Sequence, residues 1–260
     1  MPITLRCPMI FLRKVIAALL PRSWYLKSTL SNGAILYGLN RPGFGGRGVF
    51  IFGDALEPEL QQLEHFLDPG GVLIDIGANT GAFSLKAARH VGDAGTVIAL
   101  EPNIEILATL HRSVRANGFR NVRLRNCCAA ARTGSATLWM NYAKPHSFSI
   151  KNRLDNAEGI PVLAVSVDDL LGWEKIDRVD YLKIDAEGAE NDILLGAAGT
   201  IERHRPIIQA EVSIEEHHAV LPGYGAFGIA GSPNILCVPD SHPKIPVLQK
   251  LGWKRAPAHA

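Results

Sequence analysis

The rhythm of hydrophobic positions changes near residue 70. Beyond it, short apolar runs alternate with stretches in which apolar residues recur every three or four positions. Val72-Leu73-Ile74-Asp75-Ile76, Thr96 to Leu100 and Val122-Arg123-Leu124 have strand length, and the first is apolar enough to be buried on both faces. Thr80 to Val91 and Ile104 to Asn117 read as the intervening helices, the second closed by Gly118. Val179 to Ile184 and Pro206 to Val212 supply two more strands, with helical sequence from Ala189 between them. Strands alternating with helices imply a mostly parallel sheet covered on both faces. Right-handed crossovers then make it a doubly wound α/β fold.

The pattern before residue 70 differs, so residues 1–69 read as an extension in front of a main unit at 70–260. Ala34-Ile35-Leu36-Tyr37 and Val49-Phe50-Ile51-Phe52 are expected to pair as a hairpin around the turn residues Asn40 to Gly46. Pro58 to Leu67 reads as a helix with Pro58 in its first turn. The apolar stretch from Met9 to Leu20 is divided by Arg13 and Lys14 and stopped by Pro21. It falls short of the roughly 20 apolar residues of a membrane span, and its charges sit in the wrong place for a signal peptide. It reads as an amphipathic helix packed on the body or on a partner, with contact to a membrane surface as the lesser alternative. Ala136 to Met140 and Val162 to Val165 read as strands around a polar loop, Asn141 to Glu158, that suits a substrate mouth.

Charge and composition narrow the partners. Lys and Arg total 27 against 25 Asp and Glu, a balance without the basic footprint of nucleic-acid binding. A hydrophobic share of 47% with 20% charged residues is ordinary for a globular protein, and a cytoplasmic location is expected. Cys7, Cys127, Cys128 and Cys237 form no C-x-x-C pair, so buried, reduced thiols are expected, with adjacent Cys127 and Cys128 on opposite faces of an extended segment.

Two segments carry candidate chemistry. The first strand runs into Asp75-Ile76-Gly77-Ala78-Asn79-Thr80-Gly81. Gly77 and Gly81 allow a tight turn and close backbone approach, the following helix offers free N–H groups, and Asp75 can attract an ammonium group. Glu101 ends the second strand, where an acid accepts both hydroxyls of a ribose. The middle glycine of the dinucleotide fingerprint is Asn79 here, which favours S-adenosylmethionine over a nicotinamide dinucleotide. The second segment is Lys183-Ile184-Asp185-Ala186-Glu187-Gly188. With strand alternation, Lys183, Asp185 and Glu187 share one side. Either acid can take a proton from an acceptor, with Lys183 holding the carboxylates. The alternatives are a structural lysine–carboxylate pair, or a divalent cation on the two acids, although no metal is expected. Glu211 is placed at the same rim; Glu215-Glu216-His217-His218 reads mainly as solvated surface, and His146 stays ambiguous.

These two segments together resemble the FkbM family of methyltransferases. Glu57-Pro58-Glu59-Leu60, Val167-Asp168-Asp169-Leu170 and Ser232 to Pro239 support the resemblance, which covers about residues 30–240. It implies the class I methyltransferase fold and transfer of a methyl group, usually to a hydroxyl of a sugar, polyketide or other small metabolite. By motif position it assigns Asp75, Gly77, Asn79, Gly81 and Glu101 to the cofactor, S-adenosylmethionine, and Asp185 and Glu187 to the acceptor. Relatives often carry an acid near the adenine, where this chain has Asn126, which can bond the adenine edge. The partner implied is a small-molecule acceptor, without nucleic acid and without a transmembrane span, and the sequence allows a homo-oligomer. The rival functions are a nicotinamide-dependent oxidoreductase and a non-catalytic, cofactor-binding partner subunit.

Overall fold

The computed structural model describes residues 8–41, 46–140, 148–150, 158–186, 188–211 and 221–256. Helix α1 (Pro8–Leu19) leads into an antiparallel hairpin of β1 (Tyr25–Thr29) and β2 (Ile35–Leu39), with Ser28 opposite Leu36. The hairpin turns at Ser31-Asn32-Gly33, where Gly33 has φ +84°. This corrects the expected hairpin in one arm. Ile35 to Tyr37 is a strand, but its partner precedes it, and Val49 to Phe52 lies in helix α2 (Gly46–Phe52). The reason is tertiary. Val49 packs with Leu30 and Leu36, while Ile51 packs with Ala17 and Leu26, so the segment buries residues in two separate clusters. Gly46 also meets the hairpin so closely that a Cβ on Gly38 would stand 2.2 Å from its Cα.

A tight turn, Gly53–Leu56, precedes α3 (Pro58–Phe66), which has proline at its start as expected. Then follow β3 (Val72–Ile76), α4 (Ala82–Val91), β4 (Thr96–Leu100), α5 (Ile104–Asn117) and β5 (Val122–Arg125). A small second sheet comes next. It contains β6 (Cys128–Ala129), β7 (Gly134–Met140), β8 (Phe148–Ser149) and β9 (Glu158–Val165), ordered β6-β9-β7-β8. Helix α6 (Val167–Glu174) returns the chain to the main sheet through β10 (Tyr181–Ile184), α7 (Glu190–Gly196), α8 (Ala198–His204) and β11 (Ile207–Ala210). Strands β12 (Tyr224–Gly228) and β13 (Ile235–Pro239), a short helix at Ile245–Lys250 and β14 (Lys254–Arg255) complete it.

The main sheet has eight strands in the order β14-β12-β13-β11-β10-β3-β4-β5. The run from β11 to β5 is parallel, and β13 joins β11 antiparallel. Alternate residues feed two cores. Ile74, Ile98, Leu182 and Ile208 enter one, and Leu73, Val97, Tyr181 and Ile207 the other. Each such side chain contributes about 1.5–3 kcal/mol on burial. From β3 the chain steps outward through β4 to β5, whereas β10 is followed by β11 on the opposite side. The seam between β3 and β10 is therefore the topological switch point, the place where open α/β sheets bind ligands.

Candidate active site

The turn after β3 is built by close approach. Gly77 has φ +71°, and a Cβ there would stand 1.9 Å from the Asp185 carbonyl oxygen at the end of β10. Gly81, with φ +89°, is equally confined, since a Cβ would meet Leu110 Cδ1 at 2.1 Å. Between them Asn79 adopts φ +50°, a conformation that asparagine tolerates better than most residues. The Gly77 and Ala78 amides donate to the Leu100 carbonyl at 3.1 and 2.9 Å, which binds the turn to β4.

Glu101 locks this turn from the next strand. Its Oε2 accepts the Asn79 amide and its Oε1 the Asn103 amide, both at 2.9 Å. Asn103 in turn caps α5, accepting the Glu105 amide at 3.0 Å. Burial pushes the Glu101 carboxyl up to about 7, against the pull of the two amides that favour its charged form.

Lys183 fills the seam. It is 4% exposed, and its ammonium donates to the Gly77 carbonyl at 2.9 Å and to Asp185 Oδ2 at 3.3 Å. Asp75 Oδ1 lies 3.3 Å away, while Asp75 Oδ2 accepts the Ser84 hydroxyl at 2.6 Å. Burial alone would lower the lysine's pKa. The charges of Asp185, Asp75 and Glu57 outweigh it and hold the ammonium above its usual range. One buried cation thus joins the glycine turn to both carboxylates.

Gly77, Asn79, Glu101 and Asp185 line one cavity over the switch point. The Asp185 side chain is 57% exposed there. Ile106, Cys127, Leu138 and Ile150 supply apolar walls. Cys127 and Cys128, expected on opposite faces, both border this cavity, and burial raises both thiols, to about 12 and about 11. Asp75, Gly81 and Lys183 stand behind the lining. Asp75 is fully buried, so its charge serves Lys183 and Ser84 rather than an ammonium in the cavity. Asn126 also differs from expectation. Its amide donates to the Glu101 and Pro102 carbonyls at 3.0 and 2.9 Å, so both its protons serve the main chain of the turn. Strand β10 ends at Ile184, so Asp185 lies past the regular alternation. Glu187, His146, Cys7 and the Glu215–His218 run fall outside the described residues.

Sequence reading missed Glu57, just before α3. It is half-buried, and burial raises its carboxyl to about 7, with Lys183 opposing and Asp185, Glu59 and Asp75 reinforcing the rise. Its Glu-Pro helix-start signature carried no chemical signal. Asn103 was missed too, although an asparagine just before a helical run is a legible cap. The wall set fits a nucleoside with an amino acid end: apolar faces for a base, an acid for a diol, and the turn residues Gly77 and Asn79 beside them. Among the described residues, no group of three His, Cys, Asp or Glu is arranged to hold a metal.

The methyltransferase FkbM domain matches residues 75–227, from the tip of β3 into β12. The chain belongs to the FkbM methyltransferase family. Methyltransferase 1 of Beauveria bassiana (strain ARSEF 2860) is 27% identical to it over 143 residues, 48% of this chain and 57% of that protein. The crystal structure of methyltransferase FkbM from Methylobacillus flagellatus KT is similar with a TM-score of 0.45 at 18% identity, covering 74% of this chain and 53% of that one. This FkbM chain therefore spans little more than half the length of either relative. Aeropyrum pernix fibrillarin, solved with natively bound S-adenosyl-L-methionine, aligns with a TM-score of 0.46 at 11% identity, covering 83% of this chain and 99% of that one. A putative rRNA-methylase from Clostridium thermocellum aligns at 0.42 and 13% identity, over 69% and 90%. The sheet is that of the class I methyltransferase fold, doubly wound with β13 inserted antiparallel next to β11, and β14 adds a second antiparallel strand at the edge.

Proposed function

We propose that this FkbM protein transfers a methyl group from S-adenosylmethionine to a hydroxyl oxygen of a small metabolite such as a sugar or polyketide. The observation that carries this reading is that Glu101, Asp185 and the turn residues Gly77 and Asn79 line one cavity at the switch point. When bound, S-adenosylmethionine supplies an electrophilic methyl group on a sulfonium. Glu101, with each oxygen already fixed by a main-chain amide, is oriented to accept a ribose diol with its remaining lone pairs. The turn presents main chain to the amino acid end. Asp185, exposed to the cavity and held on one oxygen by Lys183, keeps its other oxygen for the acceptor's hydroxyl proton. Holding the acceptor in line is worth up to about 7–11 kcal/mol of the barrier, and proton removal adds roughly 10²–10⁴-fold. Ser149 of the second sheet and the adjoining Ile150 also line the cavity, which suits a small acceptor.

The test is isothermal titration with S-adenosylhomocysteine and, separately, with NAD, followed by an acceptor screen. The reading requires binding of the former alone, weakened by Glu101→Ala. Asp185→Asn is expected to bind S-adenosylhomocysteine normally and to lose about 10²–10⁴-fold in turnover. Full turnover in that variant transfers the base role elsewhere, with Glu187→Gln as the next variant. Binding of NAD alone overturns the proposal.

A further inference from the structure

The N-terminal segment carries a surface that methyl transfer does not use. The first 53 residues contain seven Lys and Arg and neither Asp nor Glu. The rest of the chain holds the other 20 basic residues and all 25 acidic ones, so a segment of charge +7 is attached to a body of charge −5.

Helix α1 lies within that segment, and its amphipathicity is inverted. Ala17 is buried against Leu26 and Ile51. The opposite side, repeating at three- and four-residue intervals, consists of Phe11, Leu12, Val15 and Leu19, with exposures of 71%, 57%, 39% and 80%. Arg13 and Lys14 flank the seam with the body, their cationic groups 6.0 and 5.3 Å from the ring centres of Phe50 and Phe52. Trp24, just beyond the helix, is 56% exposed beside the exposed Arg22. A contiguous apolar face of this kind marks an interaction site.

We propose that α1 and its flanking cations form a docking surface for an anionic lipid membrane, with the apolar face entering the headgroup layer and the protein remaining outside the bilayer. Charge decides among occupants. A second copy would bring two acid-free, cationic segments together. A nucleic acid would match the cations but leave the Phe11–Leu19 face in water. An anionic bilayer satisfies both, and an exposed tryptophan shortly after the helix suits the interface. At twelve residues the helix is too short to cross, and no helix among the described residues is long and apolar enough to do so.

The experiment is co-sedimentation of the full chain with vesicles of phosphatidylcholine alone and of phosphatidylcholine with about 30% phosphatidylglycerol. Binding to the anionic vesicles only is expected, weakening as salt rises from about 0.1 M to about 0.5 M. The double variant Phe11→Glu, Leu19→Glu should lose at least about tenfold in partitioning, since it sets two charges in the apolar face. Lys14→Ala should lose about fivefold. Far-UV circular dichroism and thermal melting, which report the fold independently of cofactor binding, should match those of the parent. A vesicle-induced blue shift of fluorescence should disappear in Trp24→Phe. Failure to bind either vesicle, or equal binding by the double variant, overturns the proposal. So does a dimer in sedimentation velocity that the double variant dissociates, which assigns the face to a second copy. Tight binding of homopolymer RNA, indifferent to the double variant, assigns the cations to nucleic acid.

Discussion

Glu101 shows how one residue can report on both folding and binding. Its carboxyl stands at about 7 in the folded chain against an ordinary 4.5, because burial disfavours the charge. A group raised in this way contributes stability that is complete below the unfolded value and lost as pH rises through the folded one. Urea midpoints should therefore fall from about pH 5 to about pH 8, and Glu101→Gln should flatten that slope. Binding should run the opposite way, because a diol needs the ionised acceptor. The ionised fraction grows about tenfold between about pH 6 and about pH 8, and affinity for S-adenosylhomocysteine should follow, a trend that Glu101→Gln should abolish. The acid's position was legible in the sequence, because its distance from the glycine turn follows from one helix and one strand. The uses of Asp75 and Asn126 were not. Both are polar residues at strand tips, and only the packed structure shows that Lys183 and two carbonyls take up their bonding capacity.

Among elements, legibility followed burial. Strands β3, β4 and β10 are buried on both faces, so their apolar runs have a single reading. Helix α2 was misread because Val-Phe-Ile-Phe has strand propensity, and the packing that overrides it comes from β1 and α1. The missed strand β1 lies before Ser31-Asn32-Gly33, a turn signal that pointed to the correct hairpin. The hairpin's turn is tied to helix α4 by a buried ion pair between Lys86 and Asp54, to which Ser31 bonds. Lys86 of α4, fully buried, reaches Asp54 Oδ2 at 2.5 Å, the Ser31 hydroxyl at 3.2 Å and the Gln61 carbonyl at 3.1 Å. Lys86→Met should cost about 3–5 kcal/mol in chemical denaturation, because it strands the Asp54 charge. Burial raises the Asp54 carboxyl, but its bonds to Lys86 and Ser31 prevail and hold it below its usual value. This stabilisation is present above the ordinary carboxylate range and should disappear as pH falls through the lowered value, as acid-denaturation curves of the parent and variant will show.

The whole molecule is bound together across its sequence. Helix α3 meets the last strands through the Glu59 carboxylate, which accepts the Ser232 hydroxyl. Trp253 donates to Gln62 Oε1 at 2.7 Å and packs edge-on to Phe66 at 5.9 Å between ring centres. Trp253→Ala should cost about 3–5 kcal/mol and lower the thermal midpoint of the entire chain rather than create a second transition. None of these ties was legible, since they join residues nearly 200 positions apart. The doubly wound, mostly parallel class of the sheet was legible, because crossover handedness leaves few alternatives, but β12 and β14 at its edge were not. The seam between β3 and β10 carries one more consequence. The Asp185 amide donates to Ile76, the Gly77 and Ala78 amides to Leu100, and the Lys183 ammonium to Gly77, so these groups share one set of supports. Their deuterium uptake should follow a single clock, and a nucleoside that protects the turn should slow exchange at Asp185 by the same factor, although the two segments lie more than a hundred residues apart in the chain.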